Sequence, residues 1–301
     1  MRVAAIDCGT NSIRLLVADV AGGRLTDVAR RMRIVRLGEG VDRTGRLSDA
    51  ALERTREALL GYAAEIDELS VRRVRMCATS ASRDASNARD FRDMVRGVLG
   101  VEPEVISGDE EARLSFAGAL AGLAAEPPYL VVDIGGGSTE FVTGTADVDH
   151  AISMDIGCVR MTERHLHSDP PTAGEIEAAT RDITRAVDTA LAAVPGREAS
   201  TLVGLAGTVT TVAALAMDLP AYDSARIHHA RVTSEQVAKV TGELLAMTVA
   251  QRRALPVMHP GRADVIGAGA LILRTVVERS GRSSVVASEH DILDGIAFSL
   301  S

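Results

Sequence analysis

Two stretches of the chain share one pattern of hydrophobic and polar positions. VAAIDCGTNSIRLLVADV at the start and LVVDIGGGSTEFVTGTA near the middle each run from an apolar strand into an aspartate, Asp7 or Asp133, and then into a glycine-rich turn and a second apolar strand. Apolar runs bounded by such a turn predict a β-hairpin. Because glycine lets backbone N–H groups approach an anion closely, both hairpins are predicted to hold phosphate.

Each predicted hairpin is followed by a strand that ends in small hydroxyl residues where a helix begins. The two segments are VRRVRMCATSASRDASN and TLVGLAGTVTTVAAL. The free N–H groups of each helix would point to the same side as the hairpin turn. The repetition predicts two related halves that face each other across a cleft.

Much of the remaining chain has apolar residues at helical spacing. The segments that begin at Ser48 and Thr172 have apolar positions at helical spacing, and both residues suit the N-cap position. Helices that alternate with strands predict an α/β fold. Prolines at 127 and 128 interrupt the chain before the second Asp strand, so we predict domains at 1–124 and 125–301. A final helix at about 291–301 is expected either to pack back on the first domain or to join an interface.

Composition narrows the possible functions. The chain has 301 residues with 46% hydrophobic content, which is enough for two cores. Only 2% of residues are aromatic and none is Trp, which argues against binding nucleic acid by base stacking. A formal net charge of −8 excludes a broad basic surface. Local donors in loops must therefore hold any phosphate ligand.

Cysteine usage and hydropathy indicate a location. Cys8, Cys77 and Cys158 form an odd set without CxxC spacing, which favours reduced thiols over disulfides. No apolar run reaches membrane-spanning length without charges, and the start lacks the apolar core of a signal peptide. These features predict a soluble cytoplasmic protein without a membrane partner.

One acidic residue is a candidate general base. In VISGDEEARLSFAGAL, Ser107 and Glu110 have the spacing of a capping box at the start of a helix. Glu111 is not needed for that box and could take a proton from an attacking water. A carboxylate in the first turn could instead only complement the helix dipole.

Other charged residues flank the two turns. Asp7, Asp133 and Glu140 are candidate ligands of a hard cation such as Mg²⁺, although both aspartates could instead cap their own turns. Arg14 and Arg83 could each place two donors on a phosphate, although a solvated surface role is the alternative for any one arginine.

The histidines do not suggest a metal site. His165, His167, His228 and His229 lack zinc-ligand spacing or nearby carboxylates in the sequence, so we expect them at the surface. The string 289–291, Glu-His-Asp, comes just before the last predicted helix and lacks the further histidines that a metal site needs.

Six segments together resemble the exopolyphosphatase and guanosine pentaphosphate phosphohydrolase family, in the family's order and spacing. They are AAIDCGTNSIRLLV, ATSASRDASN, VISGDEEARLSFAGAL, VVDIGGGSTEF, GLAGTVTTVAAL and RADVIGAGALIL. The resemblance spans nearly the whole chain and implies two actin-like, ribonuclease H-like domains. Because the chain ends at Ser301 without a further helical domain, it resembles the short type, and we expect a preference for shorter polyphosphate.

The resemblance also implies roles for individual residues. Glu111 matches the catalytic base, and Asp133 and Glu140 match acidic positions near a divalent metal, Mg²⁺ or Mn²⁺, with K⁺ as a further candidate cofactor. Asp7 stays a candidate metal ligand from its place at the first hairpin turn. The residues that match phosphate-binding positions are Thr10, Asn11, Ser12, Arg83, Gly135, Gly136, Gly137, Ser138, Gly207 and Thr208. Arg14 stays a candidate phosphate ligand from its place after the first turn.

The implied activity is removal of terminal phosphate from inorganic polyphosphate by a homodimeric enzyme. Conversion of guanosine pentaphosphate to the tetraphosphate is the nearest alternative. Two alternatives belong to other functional classes. One is a sugar kinase or ATPase of the same actin-like superfamily, and the other is a sensor that binds polyphosphate or nucleotide without catalysis. The Glu111 motif argues against the kinase, and the intact acidic residues argue against the sensor.

Overall fold

The computed structural model describes residues 1–301, which divide into two compact units. The first unit contains residues 1–118 and 292–301, and the second contains residues 119–291. The division falls inside a helix, whereas the sequence predicts a boundary near residue 124, at the following loop. No helix is long and apolar enough to cross a membrane.

The first unit is built on a five-stranded sheet. Its strands are β1 Arg2–Cys8, β2 Ser12–Ala21, β3 Arg24–Ile34, β4 Arg73–Ala78 and β5 Glu104–Val105, and its helices are α1 Val41–Thr44, α2 Asp49–Glu68, α3 Ser80–Asp84, α4 Ala88–Leu99, α5 Gly108–Leu120 and α13 Ile292–Phe298. The strand order is β3-β2-β1-β4-β5, with β1 antiparallel to β2 and parallel to β4.

Strand β1 explains why the chain begins with a nearly continuous apolar run. Ala4 and Ile6 pack on one face of the sheet, in a core that also takes residues of α2 and α4. Val3 and Ala5 pack on the other face, with residues of α5 and α13. A central strand that is covered on both faces needs apolar residues at every position.

Gly295 sets how closely α13 approaches α5. A Cβ atom at Gly295 would lie 2.0 Å from the carbonyl oxygen of Leu114. Because that contact is with backbone, Gly295→Ala should lower the free energy of unfolding by about 2–3 kcal/mol, as other overpacked sites do. Gly242→Ala is the control, because it lies inside helix 234–246 with nothing within 4 Å of a Cβ. Equal urea midpoints for the two variants would contradict this close approach.

The second unit is built on a six-stranded sheet. Its strands are β6 Tyr129–Ile134, β7 Thr139–Gly144, β8 Val148–Met154, β9 Thr201–Leu205, β10 Arg231–Thr233 and β11 Ser284–Ala287, and its helices are α6 Cys158–His165, α7 Ala173–Ala193, α8 Ala206–Ala216, α9 Ser224–Ile227, α10 Ser234–Ala246, α11 Val249–Arg253 and α12 Ile266–Ser280. The strand order is β10-β11-β9-β6-β7-β8.

The two sheets repeat one topology. In the order β8-β7-β6-β9-β11, the second sheet has three antiparallel strands followed by two strands that are parallel to β6. The first sheet has the same arrangement in the order β3-β2-β1-β4-β5. Both predicted hairpins and both strand-to-helix segments are present. The predicted fold class, α/β with two domains of repeated topology, is confirmed.

The helix caps follow the local sequence in two of three predicted cases. Ser48 accepts from the N–H of Ala51, and Thr172 forms a full capping box with Glu175. Ser107 accepts from the N–H of Glu110 at 3.2 Å, but the Glu110 carboxylate binds Arg75 at 2.7 Å instead of completing the box. A nearby guanidinium is a stronger donor than a backbone N–H, so the ion pair takes this carboxylate.

Candidate active site

The first glycine turn is held by the segment that follows β3. Gly9 N–H donates to the carbonyl oxygen of Ser12 at 2.9 Å, and the carbonyl oxygen of Thr10 accepts from Gly38 at 2.9 Å. The carbonyl oxygen of Asn11 accepts from the N–H groups of residues 35 and 36. The Thr10 hydroxyl is buried and has no hydrogen-bond partner in the protein. A buried orphan hydroxyl of this kind fits a site that is completed by a ligand.

Asp7 and Arg14, which the sequence assigns to metal and phosphate, face each other on the hairpin. They are cross-strand partners, and the Asp7 Oδ2 atom accepts from Arg14 Nε at 3.0 Å and from Arg14 Nη2 at 2.7 Å. Both side chains are mostly buried. The guanidinium offsets the charge that Asp7 would offer a cation.

Glu111 lies in the first turn of α5 and contacts Arg83 at the end of α3. Arg83 Nη1 donates to Glu111 Oε2 at 3.2 Å and to the carbonyl oxygen of Ile106 at 3.0 Å. Glu111 is 8% exposed, and the neighbouring guanidinium favours its ionised form. An ionised, shielded carboxylate in a fixed orientation is what a general base requires. The buried hydroxyl of Ser82, next to Arg83, also lacks a partner.

The second glycine turn is fixed by the start of α6. The carbonyl oxygens of Gly135 and Gly136 accept hydrogen bonds from the N–H groups of residues 158 and 159, at 3.0 and 2.9 Å. Arg160 Nε donates to the carbonyl oxygen of Gly137 at 2.7 Å. The Gly135 N–H donates to the carbonyl oxygen of Ser138 at 3.1 Å, so the N–H groups of residues 136–138 are the donors left for an anion. Ser138 closes the turn and is buried.

Asp133 and Glu140 are adjacent carboxylates on this hairpin. They are cross-strand partners in β6 and β7, and both are buried. Glu140 Oε1 also accepts from the Ser153 hydroxyl at 2.8 Å. Side chains at such paired positions lie on one face with Cβ atoms about 5 Å apart, where two negative charges repel.

The residues present fit a hard divalent cation in part. Mg²⁺ is usually held by one or two carboxylates and several waters, and the buried pair of Asp133 and Glu140 provides such a set. No group of three or more His, Cys, Asp or Glu side chains has the geometry of a closed metal site. The pair therefore suits an open site that also binds substrate oxygens.

Arg262, which the sequence analysis did not select, lies against the start of α8. A Cβ at Gly207 would lie 2.1 Å from the guanidinium of Arg262, so Arg262 rests directly on this glycine at the helix N-terminus. Arg262 lies within the quoted segment RADVIGAGALIL, but nothing in the local sequence distinguishes it from other arginines. Ala206, just before Gly207, has a φ of 65°, a strained conformation that often marks functional sites. The hydroxyl of Thr208 bonds the thiol of Cys158.

Three histidines cluster instead of being scattered on the surface. The rings of His228 and His229 stack with centroids 3.7 Å apart, and His290 lies 4.4 Å from His228. All three are partly buried, so the predicted surface location holds only in part for His228 and His229. His165 also has a carboxylate partner, Asp182, at 2.9 Å.

The histidine cluster makes stability depend on pH. Burial, and then repulsion by His229 and His290, lower the pKa of His228 from 6.5 to about 4. His228 Nδ1 accepts from the N–H of Glu289 at 3.2 Å, which requires a neutral ring. Since the unfolded chain binds the proton more tightly, stability is full above pH 6.5 and falls towards pH 4.

We expect the free energy of unfolding to drop by about 1–2 kcal/mol between pH 7 and pH 5 because of His228, after allowing for its partial exposure. Urea midpoints of wild type and His228→Asn at both pH values measure this, because Asn keeps an acceptor but does not titrate. His150→Asn, at an exposed position on β8, is the control. A His228→Asn protein with the same pH dependence as wild type would exclude this residue as the cause.

Comparison with known proteins identifies the family. Residues 16–300 match the Ppx/GppA phosphatase family. The chain belongs to this family. It is 54% identical over 313 aligned residues to Exopolyphosphatase 2 of Mycobacterium tuberculosis (strain CDC 1551 / Oshkosh), an alignment that covers 99% of this chain and 98% of that protein.

Solved structures of Ppx/GppA relatives have the same fold. A crystal structure of an exopolyphosphatase-like protein aligns with a TM-score of 0.96 at 45% identity, covering 99% of this chain and 97% of the other. An exopolyphosphatase from Cytophaga hutchinsonii aligns with a TM-score of 0.92 at 25% identity, with the same coverage of both chains. The resemblance inferred from the six motifs is confirmed at the level of the family.

Proposed function

We propose that this protein is an exopolyphosphatase, a phosphoanhydride hydrolase that releases terminal phosphate from inorganic polyphosphate. Full-length identity of 54% to a protein named Exopolyphosphatase 2 is the main support. The partly buried contact between Arg83 and Glu111 adds chemical support, because it orients a candidate base on the first unit. The two glycine turns supply the backbone donors that a polyanionic substrate needs.

Hydrolysis of a phosphoanhydride depends mostly on positioning and charge stabilisation. In this proposal Glu111 accepts the proton of the attacking water as the water's oxygen bonds to the terminal phosphorus. The bond from that phosphorus to the bridging oxygen breaks, and the shortened chain leaves on this oxygen. Arg83 orients the Glu111 carboxylate, and the turns at 9–12 and 135–138 hold phosphate oxygens through N–H groups other than those of Gly9 and Gly135, which bond within the turns.

Asp133 and Glu140 would hold a divalent cation, Mg²⁺ or Mn²⁺, in the second unit. A cation of this kind neutralises charge on phosphate oxygens and polarises the phosphorus for attack. Arg262 and the N–H groups at the start of α8 would bind further phosphate oxygens. Phosphate release should therefore stop in EDTA and return with added Mg²⁺.

A substrate panel tests the proposal. Purified protein with Mg²⁺ is given medium-length polyphosphate, guanosine pentaphosphate or ATP at matched concentrations of terminal phosphate, and phosphate release is followed. We expect the fastest release from polyphosphate. Faster release from guanosine pentaphosphate would assign the protein to alarmone turnover, and no release from any of them would favour a sensor without catalysis.

One observation favours guanosine pentaphosphate as a second candidate substrate. The ring of Tyr222 is 41% exposed, and its hydroxyl bonds Thr210 at 2.8 Å and Glu289 at 2.6 Å. Thr210 lies one helical turn beyond Gly207, so an aromatic face is available near a candidate phosphate position. Tyr222→Ala should raise the KM for the pentaphosphate and leave that for polyphosphate unchanged if the base stacks there.

We also propose that the protein acts as a homodimer in a reducing cytoplasm. All three cysteines are free and buried, and burial raises the pKa of Cys158 to about 11, so their thiols are protected from reaction. Light scattering on the purified protein tests the dimer, and a chain-length series tests the expected preference for shorter polyphosphate.

A further inference from the structure

A small polar pocket lies at the amino-terminal ends of β9 and β11 in the second unit. Its volume is about 210 Å³, and the lining residues that offer donors are Ser200, Thr201, Arg231, Arg282, Ser283 and Ser284. The glycine turn at 135–138 follows the opposite end of β6, which runs parallel to β9. The length of β9 separates the two ends by roughly 13 Å, so the pocket is distinct from the candidate active site.

Arg282 is fixed at one side of this pocket. Its Nη1 donates to the carbonyl oxygen of Ala199 at 2.6 Å, its Nη2 to that of Arg197 at 3.2 Å, and its Nε to that of Ser280 at 3.4 Å. A guanidinium has five N–H donors, so these three bonds leave two. The bonded side chain has already lost its rotational freedom, which reduces the entropy cost of binding a ligand.

Arg231 and three serines complete the donor set. Arg231 Nη1 donates to the Ser284 hydroxyl at 2.9 Å, and because this oxygen accepts, its own hydrogen can point to a ligand. Ser200 and Ser283 also line the pocket, and their hydroxyls make no hydrogen bond within the protein. The pocket therefore presents mainly hydrogen-bond donors.

The charges around the pocket are not balanced by acidic groups. Neither Arg231 nor Arg282 forms an ion pair, whereas the neighbouring Arg279 and Arg197 contact Asp188 at 2.7 and 3.6 Å. This is unusual for a chain with a formal net charge of −8. Two guanidinium groups with spare donors, together with free hydroxyls, are the chemistry that recognises a tetrahedral oxyanion.

We propose that this pocket binds a phosphate group, supplied either by free inorganic phosphate or by a unit of a polyphosphate chain, away from the site of hydrolysis. The polyphosphate source rests on the proposed function, whereas binding of free phosphate does not. Bound at this position, a chain would be held to the second unit while its terminal phosphate is hydrolysed elsewhere.

Calorimetric titration of the full-length Glu111→Gln protein tests the proposal, because binding is then measured without turnover. The probes are inorganic phosphate and medium-length polyphosphate, each added to this parent and to versions that also carry Arg231→Ala or Arg231→Glu. Arg253→Ala is the matched control, since Arg253 is an exposed arginine on α11. Activity on tripolyphosphate is compared in the same single variants with Glu111 intact.

We expect two binding events in the parent, of which Arg231→Ala weakens one by about tenfold and Arg231→Glu abolishes it. Arg253→Ala should change neither event, and kcat on tripolyphosphate should stay the same in all three arginine variants. If the Arg231 variants have lower affinity for both inorganic phosphate and polyphosphate, the pocket is a general phosphate site. If their affinity is lower for polyphosphate alone, the pocket is a site for the polyphosphate chain.

Unchanged affinity for both probes in Arg231→Glu would overturn the proposal. Failure of the proposed function gives a different result, in which wild type releases no phosphate but the binding that depends on Arg231 remains.

Discussion

Replacing Glu111 with alanine should reduce kcat for phosphate release from polyphosphate by about 10²–10⁴, the usual loss when a general base is removed. The carboxylate is buried beside Arg83, and alanine leaves no proton acceptor at this position. KM should change little, because the phosphate-binding donors belong to the glycine turns. Initial rates over a range of polyphosphate concentrations measure both quantities.

Glu110→Ala is the matched control for this variant. Glu110 is the preceding residue in the same helical turn, but its carboxylate is about half exposed and bonds Arg75. The substitution removes the same charge from the same helix, and we expect kcat to stay within about twofold of wild type, as for a surface ion pair. Equal losses in the two variants would contradict the assignment of Glu111 as the base.

Replacing Gly157 with alanine should lower kcat/KM by about 10²-fold or more. A Cβ at this position would lie 2.3 Å from the carbonyl oxygen of Gly136 and 2.6 Å from the carbonyl carbon of Gly137. Both atoms are backbone, so the turn or the start of α6 has to move. A displacement of about 1 Å in groups that position substrate is enough for a loss of this size.

Gly174→Ala separates this effect from the general effect of adding a methyl group. Gly174 lies in the first turn of α7, with nothing within 4 Å of a Cβ, and its replacement should leave kcat/KM unchanged. Urea midpoints of both variants establish that the proteins are folded. A Gly157→Ala protein with wild-type activity would show that the contact between α6 and the turn is unimportant for the site.

The sequence predicted those features that depend on nearby residues. Both hairpins and the caps at Ser48 and Thr172 were predicted correctly, because apolar alternation, glycine turns and capping side chains act within a few residues. The pairing of Asp7 with Arg14 could also have been predicted, since hairpin register places the two residues opposite each other. The assignment of Asp7 to metal and of Arg14 to phosphate stays a prediction and did not include this contact.

Contacts between distant parts of the chain could not be predicted from pattern alone. Arg83 reaches Glu111 across 28 positions, and Arg262 covers Gly207 from the short 3₁₀ helix Pro260–Arg262 that precedes α12. His290 joins His228 and His229 only because the loop after β11 lies beside the end of α9. The tertiary fold brings each of these groups together, and their local sequences contain no signal of the partner.

The central claim is that water attacks the terminal phosphorus of polyphosphate, and partial digestion in ¹⁸O-labelled water tests it most directly. Gel analysis of chain length and mass analysis of the phosphate are made at early times, with Glu111→Ala as the inactive control. We expect orthophosphate that contains one ¹⁸O atom from water, and chains that shorten from their ends without intermediate fragments. Internal fragments, or the absence of labelled orthophosphate with wild-type protein, would contradict the account.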